Sequence, residues 1–156
     1  MDERKLKNAQ NVYKTLCDEL DGKNVHYQKH PEDLVVTFTM QGDDLPMQII
    51  VNVDAERELV RLASPIPATI GADKRLEGAI ATSQVNYYLA DGSFDYDYTT
   101  GRIFFRITSS YVDSLISKKV FEYLITATLF IVEEYNDKFL MLAKGLLPLD
   151  AFLKTP

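Results

Sequence analysis

The sequence predicts a globular domain that mixes helices and strands, and three observations lead to this prediction. Between residues 113 and 145, apolar side chains recur in steps of three and four, which is the spacing of one face of a long helix. Two stretches between residues 34 and 54 alternate apolar with polar residues, as half-buried strands do. The chain has 156 residues, of which 46% are hydrophobic and 26% are charged. This length and composition favour a single domain over residues 1–156.

The first half of the chain is predicted to form a helix and then three or four strands. The helix covers residues 2–20. Its apolar stripe consists of Leu6, Ala9, Tyr13, Leu16, Cys17 and Leu20. Strands are predicted over residues 25–30, 34–41, 47–53 and 58–63, and the tight connection between the last two indicates an antiparallel hairpin. The segment Ser-Pro-Ile-Pro at residues 64–67 is predicted to be an extended linker, because a residue that precedes proline is disfavoured in the helical conformation.

The second half is predicted to form another helix, two strands and the long final helix. The second helix covers residues 73–89. Its residues that are expected to face the core are Leu76, Ala79, Ile80, Ser83 and Tyr87. Strands follow over residues 94–98 and 102–108, joined by a turn at Gly101.

The final helix is predicted to begin with Asp113 as its N-cap and to end at Gly145 in the left-handed conformation. Its core-facing stripe consists of Ile116, Val120, Leu124, Ala127, Ile131, Tyr135, Phe139 and Leu142, and it is widened by Phe121, Ile125, Thr128 and Val132. At about 1.5 Å per residue the helix would be roughly 45–48 Å long, so we expect it to bend near residues 136–137 or to project toward a partner. The tail at residues 146–153 is too apolar to remain in water, and we expect it to fold back over the sheet or to dock on another copy.

Charge and composition exclude several classes of partner. The net charge is −6, and Lys and Arg are scattered along the chain. We expect no nucleic-acid partner, because binding to phosphates needs clustered basic residues, and no membrane partner, because anionic lipid surfaces repel an acidic protein. Residues 1–5 lack an apolar signal region and the longest apolar run, residues 124–132, is too short to span a bilayer, so a cytoplasmic location is expected. Cys17 is the only cysteine, and its apolar neighbours predict a buried thiol.

No residue pattern in the sequence identifies a catalytic, metal or cofactor site. The two histidines, His26 and His30, would lie about 13 Å apart on a strand, which is too far for them to share a metal ion. Asp95 and Asp97 would lie about 6.5–7 Å apart on one strand face, and a solvent-facing pair is a simpler interpretation than a pair of glycosidase carboxylates. Phosphate-binding loops and dinucleotide fingerprints are absent from the sequence. We therefore predict a protein that is not an enzyme and that needs no cofactor.

Aromatic residues concentrate in the second helix and in the hairpin that follows it. They are Tyr87, Tyr88, Phe94, Tyr96, Tyr98, Phe104 and Phe105. Packing in the core and across strands accounts for most such side chains, but Phe104 is out of phase with its two neighbours, so its ring is exposed if the second sheet face is open. The residues that we expect in a partner-binding site are Phe104, Tyr96, Tyr98, Leu149 and Phe152.

Several short segments resemble the YbjN-type domain family. They are Val-Asp-Ala-Glu-Arg-Glu-Leu-Val-Arg-Leu at residues 53–62, Ser-Pro-Ile-Pro at 64–67, Asn86, Gly-Ser-Phe-Asp at 92–95 and Gly-Arg-Ile-Phe-Phe-Arg at 101–106. The long helix that opens after Val112 and Asp113 completes the resemblance, which covers roughly residues 6–143.

The resemblance implies an α+β fold like that of the type III secretion chaperones, with helices packed on a twisted, mostly antiparallel sheet. The implied order of elements is α-β-β-β(-β)-α-β-β-α. It also implies a regulator of sensory transduction or of stress responses. The family has no agreed catalytic residues, so no site is transferred from it.

Three functional hypotheses follow. The first is a non-enzymatic interaction module that binds a polypeptide on an exposed sheet face or edge, or along the long helix. The second is a chaperone-like homodimer that binds a client polypeptide. The third is a small-ligand binder or an enzyme with a pocket between the second helix and the hairpin, near Tyr87 and Tyr88.

Overall fold

The computed structural model describes residues 2–154, which form four α-helices and six strands. The helices are α1 (Glu3–Gly22), α2 (Arg75–Tyr88), α3 (Lys118–Ala143) and α4 (Leu149–Lys154). The strands are β1 (Gln28–His30), β2 (Val35–Gln41), β3 (Pro46–Asp54), β4 (Leu59–Thr69), β5 (Ser93–Asp97) and β6 (Arg102–Ser110). A short 3-10 turn, Ala72–Lys74, leads into α2. No helix within residues 2–154 combines the length and the apolar character that are needed to cross a membrane.

The six strands form one sheet in the order β1-β2-β3-β4-β6-β5, and every neighbouring pair is antiparallel. The apolar residues of the alternating stretches lie opposite one another in neighbouring strands. Phe38 is opposite Ile49, and Val51 is opposite Leu62. Strands and helices are therefore segregated into layers, and the predicted α+β class is confirmed.

One face of the sheet carries all the apolar strand residues that are buried. α3 packs across β3, β4 and β6 and against α1, while α2 lies beside β5 and α4. On the opposite face, the alternate residues of every strand are exposed or half-exposed, and none of those that the structure describes is buried. We call this second surface the open sheet face. A sheet covered on one side only is common among antiparallel folds.

The final helix is shorter than predicted. It begins at Lys118, where the hydroxyl of Ser117 accepts a hydrogen bond of 3.3 Å from the N–H of Val120. The predicted cap, Asp113, instead lies in the preceding loop with a φ of 51°. The 26 residues of α3 span about 39 Å at roughly 1.5 Å per residue, so neither a bend nor a projecting end is needed. Gly145 has a φ of 74°, as predicted for the residue that ends the helix.

The buried face of α3 lies toward the residues predicted to widen the stripe rather than on the line through Val120, Ala127 and Ile131. The residues of α3 that are buried are Phe121, Leu124, Thr128, Val132, Tyr135, Asn136, Phe139 and Leu142. Val120 is exposed, and Ala127 and Ile131 are only half-buried. A similar correction applies in α1, where Leu6 is exposed and Val12, which was not in the predicted stripe, is completely buried.

The predicted linker at residues 64–67 is part of a strand. β4 continues to Thr69 and pairs with β6 as far as Pro65 before the register becomes irregular. β3 pairs with β4 only up to Ala63, so the two prolines lie where β4 has no partner on that side. A proline without an N–H is tolerated in such a position, because no ladder hydrogen bond is lost there.

The prediction of which side of α2 faces the core is wrong. The side chains predicted to face the core point away from the sheet, and Leu76 and Tyr87 are 66% and 79% exposed. The residues of α2 that are buried are Gly78, Ala81, Thr82 and Val85. These small residues let the helix approach β5 closely: a Cβ on Gly78 would lie 2.6 Å from the hydroxyl oxygen of Tyr96. Close approach of the backbone, rather than the most apolar stripe, determines which side of α2 is covered.

The apolar tail folds back on its own chain. Phe152 of α4 is buried, and its ring centroid lies 5.2 Å from that of Phe139 on α3. α4 also packs against α2. The tail therefore folds back on its own chain, as one of the two alternatives predicted, but it packs mainly on α2 and α3 rather than over the sheet.

Candidate functional site

The five residues predicted to bind a partner do not form one surface. Phe104 lies on the open sheet face and is 36% exposed, and Tyr98 lies in the β5–β6 turn and is 59% exposed. Tyr96 is on the covered face, where its hydroxyl donates a hydrogen bond of 2.9 Å to the backbone carbonyl oxygen at the start of α2. Leu149 is half-buried and Phe152 is buried in the core. Only Phe104 and Tyr98 present large surfaces to a partner.

Phe104 lines a groove on the open sheet face. The groove has a volume of about 510 Å³, and Ile50, Ala63, Pro65 and Pro67 line it together with Phe104. It lies where β3 stops pairing with β4, so two prolines and short side chains leave a gap in the surface. The walls are mostly apolar, and Asp97 and Arg102 are the only charged residues among the described residues that line it, so the groove suits the packing of a side chain better than chemistry on a ligand.

Asp95 and Asp97 have structural roles in the β5–β6 hairpin. Asp95 forms an ion pair of 2.8 Å with Arg106 on the neighbouring strand. Asp97 accepts hydrogen bonds of 2.8 Å from the hydroxyl of Thr100 and 2.9 Å from the N–H of Thr99, and these bonds lower the pKa of Asp97. A carboxylate that caps a turn is held in its ionised form, so it is poorly suited to donate a proton.

The β5–β6 turn is attached to the start of α2 by Arg75. Its guanidinium donates hydrogen bonds of 2.8 Å to the carbonyl oxygen of Ile70 and 3.0 Å to that of Tyr98, and a further bond to the carbonyl oxygen of Thr99. Gly101 completes the turn with a φ of 76°, and a Cβ there would overlap the carbonyl oxygen of Ile70. The exposed ring of Tyr98 is therefore presented by a fixed backbone.

The pocket predicted between α2 and the hairpin is filled by protein atoms. The side-chain amide of Asn86 donates a hydrogen bond of 3.0 Å to the carbonyl oxygen of Phe94 and accepts one of 2.7 Å from the N–H of Phe94. Tyr87 and Tyr88 point away from this contact and pack edge to face, with ring centroids 5.1 Å apart. The geometry gives no support to a ligand site at these two tyrosines.

The remaining reactive side chains are not gathered into a site. His26 and His30 are exposed, and residues 2–154 contain no group of three side chains placed to hold a metal ion. Cys17 is buried, and burial raises the pKa of its thiol. A thiol with a raised pKa remains protonated at neutral pH and is a weak nucleophile.

Two apolar surfaces on the helices contain none of the five residues that were predicted to bind a partner. The first, which we call the α2 stripe, consists of Leu76, Ile80, Ser83 and Tyr87. Their spacing of four, three and four residues places them on one face of the helix. This spacing is present in the sequence, where it predicts a helix face that packs on the core of the same chain.

The second surface, which we call the α3 groove, runs along one side of α3 and reaches the β2–β3 hairpin; its larger part is lined by α3 alone. On α3 it includes Tyr123, Ala127 and Phe130, and on β3 it includes Met47. Tyr123 and Phe130 are seven residues apart and fall outside the predicted core stripe, which was the only signal of their exposure in the sequence. Glu133 attaches the turn to α3, because its carboxylate accepts backbone hydrogen bonds there.

No family model matches the sequence, and no curated protein is detectably similar to it in sequence. Solved structures with a similar fold include a chain of the ExsC–ExsE complex, with a TM-score of 0.60 and 16% identity over 89% of this chain and 97% of that chain. A chain of the HopA1–SchA chaperone–effector complex has a TM-score of 0.55 and 15% identity over 88% of this chain and 98% of that chain. YbjN from E. coli, a candidate transcription regulator, has a TM-score of 0.57 and 11% identity over 85% of this chain and 91% of that chain.

These similarities cover 85–89% of this chain and 91–98% of the other chains. They confirm the predicted fold, which is that of YbjN and of the type III secretion chaperones. At 11–16% identity they speak for the fold alone.

Proposed function

We propose that the chain is a non-enzymatic protein-binding module that forms a homodimer through the α2 stripe and binds a further polypeptide. The observation that carries the proposal is the exposure of Leu76 and Tyr87 on one face of α2. Contiguous apolar surface of this kind is unfavourable in water and typically marks an interaction site. Tyr87 and Tyr88 supply aromatic side chains, which are enriched at the centres of protein interfaces.

A second copy of the chain is the partner that best suits the α2 stripe. Its four residues are uncharged, so two stripes related by a two-fold axis bring no like charges together. Two helices with apolar residues at spacings of three and four residues pack side by side in the usual way. Two of the similar structures are complexes, which is in keeping with a fold that presents surfaces to other chains.

The non-enzymatic part of the proposal has its own support. The paired acids of β5 are occupied by Arg106 and by the Thr99–Thr100 turn, and the thiol of Cys17 is buried. The module that binds this further polypeptide has one of two roles. It is either a regulator, in sensory transduction or in a stress response, or a chaperone-like carrier of a client.

Solution mass tests the dimer. The wild-type protein should have about twice the single-chain mass of 17.8 kDa by light scattering, and the double variant Leu76→Ser, Tyr87→Ser should have the single-chain mass. Leu115→Ser is the matched control, because Leu115 is equally exposed but lies outside α2, and it should remain dimeric. A monomeric wild type at tens of micromolar would contradict the dimer.

Cross-linking in a native lysate tests the further polypeptide. Mass spectrometry of the cross-linked species should identify a partner, and the free partner can then be treated with protease. A partner segment that is cleaved when free and protected when bound indicates a chaperone-like carrier, and a partner that is equally resistant in both states indicates a regulator. Recovery of the chain alone would contradict the binding role.

A further inference from the structure

The α3 groove contains the most exposed phenylalanine that the structure describes. Phe130 is 71% exposed and Tyr123 is 51% exposed. Two adjoining depressions of about 710 Å³ and 570 Å³ form the groove, and they share Thr126 and Phe130 along their common border. We infer that the α3 groove binds a basic amphipathic helix of a partner protein. The inference rests on the proposed protein-binding function and identifies the chemistry of the further polypeptide.

The spacing of the groove residues favours a helical partner. Tyr123, Ala127, Phe130 and Glu134 follow one another in steps of four, three and four, which is the spacing along the contact line of two packed helices. Ala127 is small and lies between the two large rings, so it forms a recess into which one side chain of a partner helix can insert.

The walls of the groove are held in place before a partner arrives. The hydroxyl of Tyr123 donates a hydrogen bond of 3.0 Å to the carboxylate of Asp91, which fixes the ring on one side. On the other side, the carboxylate of Glu133 accepts hydrogen bonds of 2.8 Å from the N–H of Asp43 and 3.3 Å from that of Asp44. A preformed groove loses little conformational entropy on binding.

The charge around the groove determines the sign of the partner. Four carboxylates line the two depressions, those of Asp43, Glu122, Glu133 and Glu134, against one ammonium group, that of Lys119. Glu122 is already within 3.5 Å of Lys23, and Glu133 is bonded to the β2–β3 turn with its second oxygen buried. The carboxylates of Asp43 and Glu134 are exposed and form no ion pair in the described part of the chain. The chain as a whole carries a charge of −6. The rim is therefore negative, and opposite charge on a partner favours association.

This charge also separates the α3 groove from the α2 stripe. A second copy of the chain on the groove would place the acids at Asp43, Glu133 and Glu134 against the same acids of its partner, and like charges across an interface are unfavourable. A helix with Leu on one face and Lys or Arg on the others matches both the apolar floor and the acidic rim.

Peptide binding tests the inference. The probe is a fluorescein-labelled peptide of about 18 residues, or roughly five turns, with Leu at spacings of three and four and Lys elsewhere. Two further peptides are compared with it: one in which every Lys is Glu, and one with the same composition in scrambled order. Fluorescence anisotropy with the full chain should show binding of the Leu/Lys helix, about tenfold or more weaker binding of the scrambled peptide and no binding of the acidic peptide. Affinity should fall between about 0.15 M and 0.5 M salt.

Variants locate the binding surface. Phe130→Ala should weaken binding of the Leu/Lys peptide about tenfold or more, and Glu134→Lys should weaken it and reduce its salt dependence. Leu115→Ala is the matched control, since it also removes an exposed apolar side chain but lies outside both the α3 groove and the α2 stripe, and it should leave peptide affinity unchanged. The thermal midpoints of Phe130→Ala and the wild type should agree, because the removed ring is mostly exposed.

Several results would overturn the inference. They are equal affinity of wild type and Phe130→Ala, equal binding of the basic and acidic peptides, or a change in solution mass on Phe130→Ala, which would make the groove a contact between copies. A dimer that is lost in the α2 double variant, together with a peptide that fails to bind, would refute the α3 groove and leave the proposed dimer intact.

Discussion

The carboxylate of Glu133 on α3 accepts a hydrogen bond of 2.8 Å from the backbone N–H of Asp43 in the β2–β3 turn, 90 residues earlier in the sequence. The same oxygen also accepts from the N–H of Asp44 at 3.3 Å. The side chains of Asp43 and Asp44 carry the same charge as Glu133 and do not attract its carboxylate. The contact is therefore made by the backbone N–H dipoles of the turn. It connects the longest helix to the hairpin that forms one wall of the α3 groove.

Removal of this carboxylate should loosen the turn. Glu133→Ala leaves two backbone N–H groups without their acceptor, and we expect it to lower the free energy of unfolding by about 1–2 kcal/mol in urea denaturation. Glu134→Ala is the control, because its neighbouring carboxylate is exposed and accepts no such bond, and it should change the free energy by less than about 0.5 kcal/mol. Equal effects of the two variants would show that the turn is held by other contacts.

Gly42 should be coupled energetically to Glu133. A Cβ on Gly42 would overlap the second carboxylate oxygen of Glu133 and lie 2.6 Å from the carbonyl oxygen of Leu45. Gly42→Ala should therefore destabilise the wild type by more than about 1 kcal/mol and destabilise the Glu133→Ala variant by less. A double-mutant cycle in urea measures the difference, and strictly additive effects would argue against the contact.

Tyr111 should contribute to stability at neutral pH and lose that contribution in alkali. Its buried hydroxyl donates a hydrogen bond of 2.8 Å to the carbonyl oxygen of Asp54, and burial, with the negative charges of Asp54 and Glu58 nearby, raises its pKa from 10.0 to about 12. Because the folded state favours the neutral phenol, the contribution is complete below pH 10 and is lost as the pH rises from 10 to 12.

Tyr111→Phe tests this relationship. The variant should be less stable than the wild type by about 0.5–1.5 kcal/mol at pH 7, and its free energy of unfolding should fall less steeply above pH 10. Tyr13 and Tyr135 also have pKa values raised by burial, so the slope should decrease rather than vanish.

Gly101 should tolerate no side chain. Its φ of 76° strains any residue with a Cβ, and that Cβ would overlap the carbonyl oxygen of Ile70. Gly101→Ala should therefore reduce the free energy of unfolding by more than about 1 kcal/mol. Gly22→Ala is the control at the end of α1, where an added Cβ meets no atom within 4 Å, and it should be neutral or stabilising by about 0.5–1 kcal/mol.

Two adjacent residues of α3 should respond very differently to a charge. Val132 is 1% exposed, whereas Ile131 is only half-buried at the edge of the α3 groove. Val132→Asp should unfold the protein, because an unpaired buried charge costs about 3–5 kcal/mol or more against a typical stability of about 5–15 kcal/mol. Ile131→Asp should remain folded by circular dichroism. The opposite order would show that the helix is rotated toward the stripe predicted from the sequence.

Strands and the order of elements follow from the sequence because alternation is a local property. Phe38 and Ile49 each lie in a run whose period of two can arise only from a half-buried strand. The orientation of helices is harder to predict, because two adjacent stripes of α3, one through Val120 and one through Phe121, are both apolar. The positions of the sheet and of α1 against α3 determine which stripe is covered.

The face of α2 could not be predicted from hydrophobicity for a different reason. Periodicity shows which residues share a face but does not distinguish the core of the same chain from the surface of a partner. Gly78 and Ala81 are the residues that permit close approach to β5, and their importance becomes clear only when the position of Tyr96 is known. Leu149 and Phe152 were predicted to contact a partner, but Leu149 is half-buried and Phe152 is buried. The reason is that the tail packs on α3 at Phe139.

The pairing of Asn86 with Phe94 has a consequence for aggregation. β5 is an edge strand of the sheet. The outward N–H and C=O groups of an edge strand can pair with a strand of another chain, which leads to aggregation. At Phe94 both groups are already occupied by one side-chain amide, which imitates the hydrogen bonds of an added strand. The sheet thus carries a built-in terminator at this border, and α2 supplies it from a side chain that lies outside the α2 stripe.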